Sequence, residues 1–323
     1  MENVSAMSKL LKIGTRSSPL ALWQAEWVSA RIRERYPDIE VTLVKIKTTG
    51  DIILDVPLAQ VGGKGLFVKE IEEAMLRGDV DIAVHSMKDV PTVFPPGLGL
   101  TCITKREDPR DALISRGLSF AELPHGARVG TSALRRQAQL LAQRPDLEMV
   151  VIRGNVQTRL AKLEDEGLDA VILAAAGLKR LGFSDRVTEY LPVELSLPAI
   201  GQGALGIECR LDDQELVKLI SFLNDLETYR AVGAERAFLL RCEGGCQVPI
   251  AAFAETEGDQ LRLTGFISSV DGTRSVRGNI SGPAESFLSL GTELADRLLA
   301  DGGREILREV YQRELAGEQE IPV

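Results

Sequence analysis

The chain is 323 residues long, 44% hydrophobic and 5% aromatic, which suffices for two or three domains with mostly aliphatic cores and excludes a disordered chain. A formal net charge of -9 excludes a general nucleic-acid binder, whose affinity would rest on a basic face, so any anion must be bound by local arginines. The N-terminus carries no apolar core with a cleavage site, and the most apolar run, Ala170 to Leu178, is too short to span a bilayer, so a soluble cytoplasmic protein is expected.

Leu11 to Thr15 reads as a short strand, after which Ser18 is a good N-cap and Pro19 suits the first position of a helix. Leu20, Trp23, Trp27, Val28 and Ile32 recur at helical spacing, and the two tryptophans are expected to face the core. Val41 to Lys47 is the next strand. The segment from Thr49-Gly50-Asp51 to Gly62-Gly63-Lys64-Gly65 lacks periodicity, and we expect a lid with Gly50, Asp51 and Lys64 in it. It is no phosphate loop, because Lys64 is followed by Gly65 and not by Ser or Thr. Leu66 to Arg77 has a helical apolar face at Phe67, Ile71, Ala74 and Met75. Asp81 to His85 reads as a buried strand ending in Ser86-Met87-Lys88-Asp89-Val90-Pro91. Charged residues just past the carboxyl end of such a strand sit where open α/β sheets bind ligands, so Lys88 and Asp89 are candidates. A surface ion pair in a turn is the plainer alternative.

A second unit starts near Lys105. Val129 to Ser132 leads into a helix from Ala133 to Gln143, Met149 to Arg153 is a strand, Asn155 caps a helix to Glu166, and Ala170 to Ala174 is another strand. This alternation implies a parallel-type α/β domain. Arg135 and Arg136 fall in the first turns of one helix, Arg153 ends a strand, and Arg159 lies a turn into the helix after it. With Arg16 and Ser18 they place cations and free backbone N–H groups at three strand-to-helix junctions, an arrangement suited to carboxylates.

Gly201-Gln202-Gly203-Ala204-Leu205-Gly206 spells GxGxxG, but a proline-containing stretch precedes it and a strand, Ile207 to Arg210, follows. The dinucleotide fingerprint needs the reverse, so a flexible crossing back to the first domain is the better reading. Helices are expected at Leu216 to Leu223 and Tyr229 to Arg241, strands at Leu261 to Ser268 and Arg274 to Ile280, and helices at Ala284 to Leu299 and Glu305 to Glu314. That pattern suggests a small α+β domain with an antiparallel sheet and a frayed tail after Leu315. Of the cysteines, Cys102, Cys209, Cys242 and Cys246, none forms a CxxC pair, so no metal site is expected. Cys242 closes a helix, whereas Cys246 follows Gly244-Gly245 and precedes Pro249, which puts an accessible thiol on a loop.

Gly14-Thr15-Arg16-Ser17-Ser18-Pro19-Leu20-Ala21, Gly62 to Phe67, His85 to Pro91, Arg106 to Asp111, Leu134 to Gln137, Arg153-Gly154-Asn155, Gly201 to Ala204 and Glu235 to Pro249 together closely resemble the porphobilinogen deaminase family. Any one stretch is weak, but eight in the same order, spread over nearly the whole chain, are specific. The resemblance implies a transferase of porphyrin, tetrapyrrole and heme biosynthesis. It would condense four porphobilinogen molecules head-to-tail, release four ammonia, and make the linear tetrapyrrole hydroxymethylbilane. It also implies a dipyrromethane cofactor attached by a thioether to Cys246. Cofactor contacts would come from Lys88, Ser18, Arg16, Thr131, Arg135, Arg136, Arg153 and Arg159, and substrate contacts from Arg16, Gln24, Arg153, Arg159 and Arg180. Asp89 would be the catalytic acid, beside the pyrrole N–H groups of a cationic azafulvene.

By the same resemblance the fold is α/β: two α/β domains with mixed, mainly parallel sheets like those of two-lobed binding proteins, and a C-terminal α+β domain. The expected division is 1–104 with 200–224, 105–199, and 225–323, in a monomer that uses neither metal, membrane nor nucleic acid. The resemblance explains the arginines, since each pyrrole carries an acetate and a propionate and charge-assisted hydrogen bonds are worth roughly 1.5–3 kcal/mol each. One departure is Ala133, where the family commonly has Ser; a lost neutral hydrogen bond costs only about 1 kcal/mol, so activity should survive. Two other classes remain in view. A non-catalytic two-lobed binding protein for a small carboxylate would not need Cys246, and a cysteine redox protein would need a resolving partner that Cys242, outside a CxxC spacing, supplies poorly.

Overall fold

The computed structural model describes residues 10–52, 65–243 and 248–315. Strand β1 (Leu10–Thr15) leads into helix α1 (Pro19–Arg35), then β2 (Glu40–Lys45), a single turn α2 (Thr49–Ile52), α3 (Lys69–Leu76), β3 (Ile82–Ser86) and β4 (Leu98–Ile103). The chain then builds β5 (Asp111–Ser115), β6 (Arg128–Gly130), α4 (Leu134–Gln143), β7 (Glu148–Val150), α5 (Val156–Asp165), β8 (Ala170–Ala174), α6 (Ala175–Arg180) and β9 (Glu189–Tyr190). After a long return come β10 (Leu205–Arg210), α7 (Gln214–Ile220), α8 (Leu226–Arg241), β11 (Ile250–Glu257), β12 (Gln260–Ser268), β13 (Ser275–Pro283), α9 (Phe287–Leu298) and α10 (Arg304–Leu315).

Three sheets result, in the orders β2-β1-β3-β10-β4, β7-β6-β8-β5-β9 and β11-β12-β13. The first two are mixed: β2, β1 and β3 run parallel while β10 lies antiparallel to both β3 and β4, and β7, β6 and β8 run parallel while β5 lies antiparallel to both β8 and β9. The parallel share is smaller than strand–helix alternation alone implies. The cause is visible at β10, which returns from the second sheet and enters the first between two strands already in place. The third sheet is wholly antiparallel.

The start of α1 forms as its residues dictate: Ser18 accepts a hydrogen bond from the Ala21 N–H at 3.3 Å, and Pro19 occupies the first turn. The helix lays Ala25, Val28 and Ile32 on one face of the first sheet, against Ile13, Ile82 and Val84. Trp27 packs at the edge of this core, but Trp23 is only half-buried and carries the Arg180 guanidinium 5.8 Å from its ring, so the expected core role fits one tryptophan better than the other. Helix α3 covers the opposite face with Ile71, Ala74 and Met75 against Ala83 and Leu98. It begins at Lys69 rather than Leu66 because residues 65–68 form turns from Gly65, whose φ is +88°. In the second sheet, Leu140 of α4 covers one face, and Leu160 and Leu163 of α5 cover the other. Helices α8 and α9 cover the third sheet through Phe238, Leu294 and Leu298. Strands β4, β5, β6, β9 and β11 are not anticipated from the sequence, because their apolar runs are short or show no clean alternation.

The crossings between the first two sheets are tightly built. Gly203 has φ +92°, and a Cβ there would lie 2.4 Å from the Glu107 carbonyl oxygen, so the two crossing strands touch backbone to backbone. Glu235 of α8, fully buried, accepts from the Gly201 N–H at 2.6 Å, the Ala254 N–H at 2.9 Å and Arg106 Nη2 at 2.8 Å. One carboxylate thus joins both crossings to the third sheet.

Candidate functional site

Strand β3 ends in one tight turn, Met87 to Asp89, stopped by Val90-Pro91. Met87 is buried beneath it, whereas Lys88 and Asp89 are half-buried. Lys88 and Asp89 therefore sit just past the carboxyl end of a central strand, as the sequence implies. Among the described residues the Asp89 carboxylate accepts no hydrogen bond and makes no ion pair. It lines an open cleft together with Arg16, Ser18, Gln24, Phe67 and His85. Lys88 donates no hydrogen bond to any described residue either. Its ammonium is pushed down by burial, partly restored by Asp89, and lowered again by the charges of Arg136, Arg159 and Arg135 across from it. The loop after Asp89 is held from behind by Arg236 of α8, which donates to the carbonyls of Val90 at 3.0 Å and Pro91 at 2.6 Å and lies over Phe94.

On the first sheet's side, Gln24 is buried and donates to Ser86 Oγ at 2.8 Å. Ser18 caps α1 with its oxygen, which leaves its hydroxyl hydrogen available. Arg16 forks onto Asp51 through Nε, at 3.1 and 3.2 Å, and Nη2, and it lies 4.2 Å from the centre of the Phe67 ring. Burial pushes the Asp51 carboxyl up, but the hydrogen bonds and charge of Arg16 outweigh this and hold it below the usual range. Gly50 packs so closely under Phe67 that a Cβ there would meet the ring at 2.2 Å. Two of the three expected lid residues thus contact the cleft wall, and Lys64, like Cys246, lies outside the described residues.

The second sheet shows what sequence reading passed over. Arg135 and Arg136 are both buried and grip Asp111, the fully buried first residue of β5. Arg135 donates to it at 2.7 and 3.0 Å, Arg136 at 2.7 Å, and Ser196 and Gln202 add bonds at 2.7 and 2.9 Å. Arg135 is further committed to the Leu197 carbonyl at 3.0 Å and to Gln202 Oε1 at 2.9 Å. A helix start with two arginines reads as an anion site, yet most of this donor capacity serves an anion of the protein's own. The signal was an aspartate heading the apolar run Ala-Leu-Ile. Arg136 keeps one buried donor free, as its Nε has no partner. Thr131 accepts from the Ala133 N–H at 3.3 Å, supporting the start of α4 where Ala133 offers no cap.

Arg153 and Arg159 flank Gly154, whose carbonyl accepts from Arg159 Nε at 2.9 Å. Burial pushes the Arg159 guanidinium down to about 10, with Arg136 and Arg153 lowering it and Asp89 raising it. Lys88, Asp89, Arg136, Arg153 and Arg159 thus act on one another electrostatically, although they come from different sheets. Arg180 donates through Nη2 to the Gly203 carbonyl at 2.6 Å, and burial pushes it down to about 10.

Of the cysteines, Cys102, Cys209 and Cys242 are buried free thiols, and burial pushes Cys102 and Cys242 up to about 12, so none of the three suits nucleophilic use at neutral pH. Among the described residues no group of His, Cys, Asp or Glu is arranged to hold a metal ion, and no helix is long and apolar enough to cross a membrane.

The family model described as "Porphobilinogen deaminase, dipyromethane cofactor binding domain" matches residues 11–218, and "Porphobilinogen deaminase, C-terminal domain" matches residues 229–300. The chain is 73% identical to a porphobilinogen deaminase of Geotalea uraniireducens over 315 residues, covering 98% of this chain and 99% of that one. The chain belongs to the porphobilinogen deaminase family. A porphobilinogen deaminase of Geobacter sulfurreducens is likewise 73% identical, over 97% of this chain and 98% of its own. Among solved structures, a TRAP periplasmic solute binding protein from Desulfovibrio salexigens overlaps with a TM-score of 0.42 at 11% identity, covering 68% of this chain and 73% of that one. As a porphobilinogen deaminase family member the protein is a transferase of porphyrin biosynthesis. It condenses four porphobilinogen molecules, with loss of ammonia, into hydroxymethylbilane on a dipyrromethane primer, and the reading as a non-catalytic binder falls away.

Proposed function

We propose that elongation takes place in the cleft between the first two sheets, with Asp89 as the catalytic group and the primer joined by a thioether to Cys246. The observation that carries this is the uncommitted Asp89 carboxylate facing Lys88 and Arg159, whose charges act on one another across the cleft. The donors suit a carboxylate-bearing group: a buried Arg136 Nε without a partner, a Lys88 ammonium without a hydrogen bond, and a Ser18 hydroxyl free to donate. Lys88, Ser18, Arg136, Arg153 and Arg159 are the residues we assign to the cofactor's acetates and propionates. Arg135 and Thr131 act by holding α4 in place. When bound, the dipyrromethane supplies the pyrrole carbon on which the chain grows.

Asp89 then has two tasks. Its negative charge stabilises the cation left when ammonia departs from the incoming aminomethyl carbon, and its oxygen takes up the proton lost as the new carbon–carbon bond forms. Arg16, Gln24, Arg153, Arg159 and Arg180 are assigned to substrate carboxylates. For Arg16 this requires substrate to compete with Asp51, and we propose that exchange as the link between binding and the lid. The domain division 1–104 with 200–224, 105–199, and 225–323, a monomeric state and a cytoplasmic location complete the reading.

Intact mass tests it. The purified protein should exceed its sequence mass by one dipyrromethane, and Cys246→Ala should lose that increment; an unmodified protein with full activity refutes the anchoring. Asp89→Asn should keep the increment while turnover falls by about 100-fold or more, the scale of removing a positioned acid–base group. Near-normal turnover would remove Asp89 from the chemistry.

A further inference from the structure

Beneath the cleft floor lies a group of titratable side chains that the reading above does not use. His85 of β3 and Glu208 of β10 are on the face of the first sheet that α3 covers, and His85 Nε2 lies 3.0 Å from Glu208 Oε2. Glu208 is fully buried, and its other oxygen, Oε1, has no partner. Glu72 of α3, also buried, points a second unpartnered oxygen into the same region. Two buried, unpartnered carboxylate oxygens close together are uncommon and expensive, because a buried polar group without a hydrogen bond is destabilising. The group has an outlet on the cleft, whose lining includes both His85 and Asp89.

Each condensation must dispose of a proton. The carbon–nitrogen bond breaks and its electron pair leaves with the nitrogen as ammonia; the new carbon–carbon bond forms; and the α carbon–hydrogen bond breaks, its electrons restoring the aromatic ring while its proton passes to a base. Asp89 can hold one such proton, and must give it up before the next round.

We propose that His85, Glu208 and Glu72 form the proton sink that resets Asp89 between condensations. This rests on the elongation reading above and adds residues to it. The His85–Glu208 contact fixes the ring with Nε2 toward the buried carboxylate and leaves Nδ1 as its uncommitted nitrogen, so a proton taken at one nitrogen can be passed on from the other. Glu72, 7% exposed, is the last acceptor of the group and releases the proton to solvent before the next round. Burial, foremost, and the negative charges of Glu208 and Glu73 push its carboxyl up to about 7, with His85 acting in the opposite sense. The charged groups acting on this sink are therefore Glu73 on its own helix, Glu208 from β10, His85 from β3, and Arg236 of α8, which feels Glu208. Below neutrality Glu72 already holds its proton and accepts no other; above it the carboxylate is available. The rate of elongation should therefore rise with pH through about 7, in kcat rather than KM.

The test is the pH–rate profile of the cofactor-loaded protein between pH 6 and pH 9, with porphobilinogen as substrate, for wild type and Glu72→Gln. Wild type should show a rising kcat limb centred near 7. The variant, which can neither take nor release a proton there, should lose that limb, with kcat at pH 8.5 lowered about 100-fold, the lower end of the scale for losing an acid–base group, and with KM unchanged. A limb that persists in the variant, a limb that falls instead of rising, or a change in KM alone overturns the proposal. Infrared difference spectra of the wild type decide independently of any variant: a protonated-carboxyl band titrating near 7 is required, and its absence overturns the proposal too. Failure of the elongation reading would look different, because Asp89→Asn would then turn over at a near-normal rate.

Discussion

Two buried guanidiniums grip Asp111, and Asp111→Asn tests what that grip is worth with almost no change of shape. All the side chains around this carboxylate donate: Oδ1 receives Arg135, Arg136 and Gln202, and Oδ2 receives Arg135 and Ser196. An asparagine must turn its NH2 toward one of these sets. The less costly orientation replaces Oδ2, where Ser196 can rotate to accept but Arg135 Nη1 is left facing a donor. Two buried guanidiniums would then share no anion at all. Breaking a buried pair by removing one partner costs about 3–5 kcal/mol, and we expect that range in the urea unfolding free energy followed by circular dichroism. The pH dependence adds a sign. Burial raises the Asp111 carboxyl but Arg135 and Arg136 outweigh it, holding it far below its ordinary 3.8. A depressed carboxyl contributes stability above its unfolded value and loses it as pH falls, so the gap between wild type and variant should stay constant from pH 8 down to about 5 and narrow only below about 4. A loss under about 1 kcal/mol at pH 7 would show that the two guanidiniums find their support elsewhere.

Glu235→Gln should be milder despite equal burial, because burial holds that carboxyl above its ordinary value even with Arg106 opposing; losing the bond to the Gly201 N–H should cost about 1–2 kcal/mol in the same urea experiment. A loss as large as that of Asp111→Asn would contradict the ordering. Arg236→Lys cannot serve both the Val90 and Pro91 carbonyls in one plane, so the loop bearing Asp89 should loosen and kcat fall about tenfold while the cofactor increment in the mass is kept. Unchanged kcat would show that the loop holds its place without α8.

Where a short stretch decides its own structure, the sequence was readable. Ser18-Pro19 starts α1, Asn155 caps α5 with a 2.9 Å bond to the Thr158 N–H, and Cys242 sits buried at the end of α8. Pairings distant along the chain were not readable. Asp111 meets Ser196 across 85 residues and His85 meets Glu208 across 123, and no local propensity records such a contact. The arginines fall between these cases. Their number and their positions at helix starts suggest an anion site, but which of them the protein keeps for itself depends on a partner, Asp111, that only the folded sheet brings near.

That division among the cations explains how an acidic chain can grow a polyanion. Arg135 and Arg16 each face a carboxylate of the protein's own, so their charges are already balanced. Lys88 and Arg159 face chiefly other cations, apart from Asp89, and burial together with that repulsion pushes both down. A ligand carboxylate arriving between them relieves the repulsion and needs no side chain to be reorganised, which is how preorganised groups become worth more than the same groups in water. Net charge of the chain is then of little consequence at the site, because screening over about 8–10 Å confines the outer acidic surface to its own neighbourhood. We propose that the cleft binds anions through Lys88 and Arg159, which face no carboxylate of the protein's own besides Asp89.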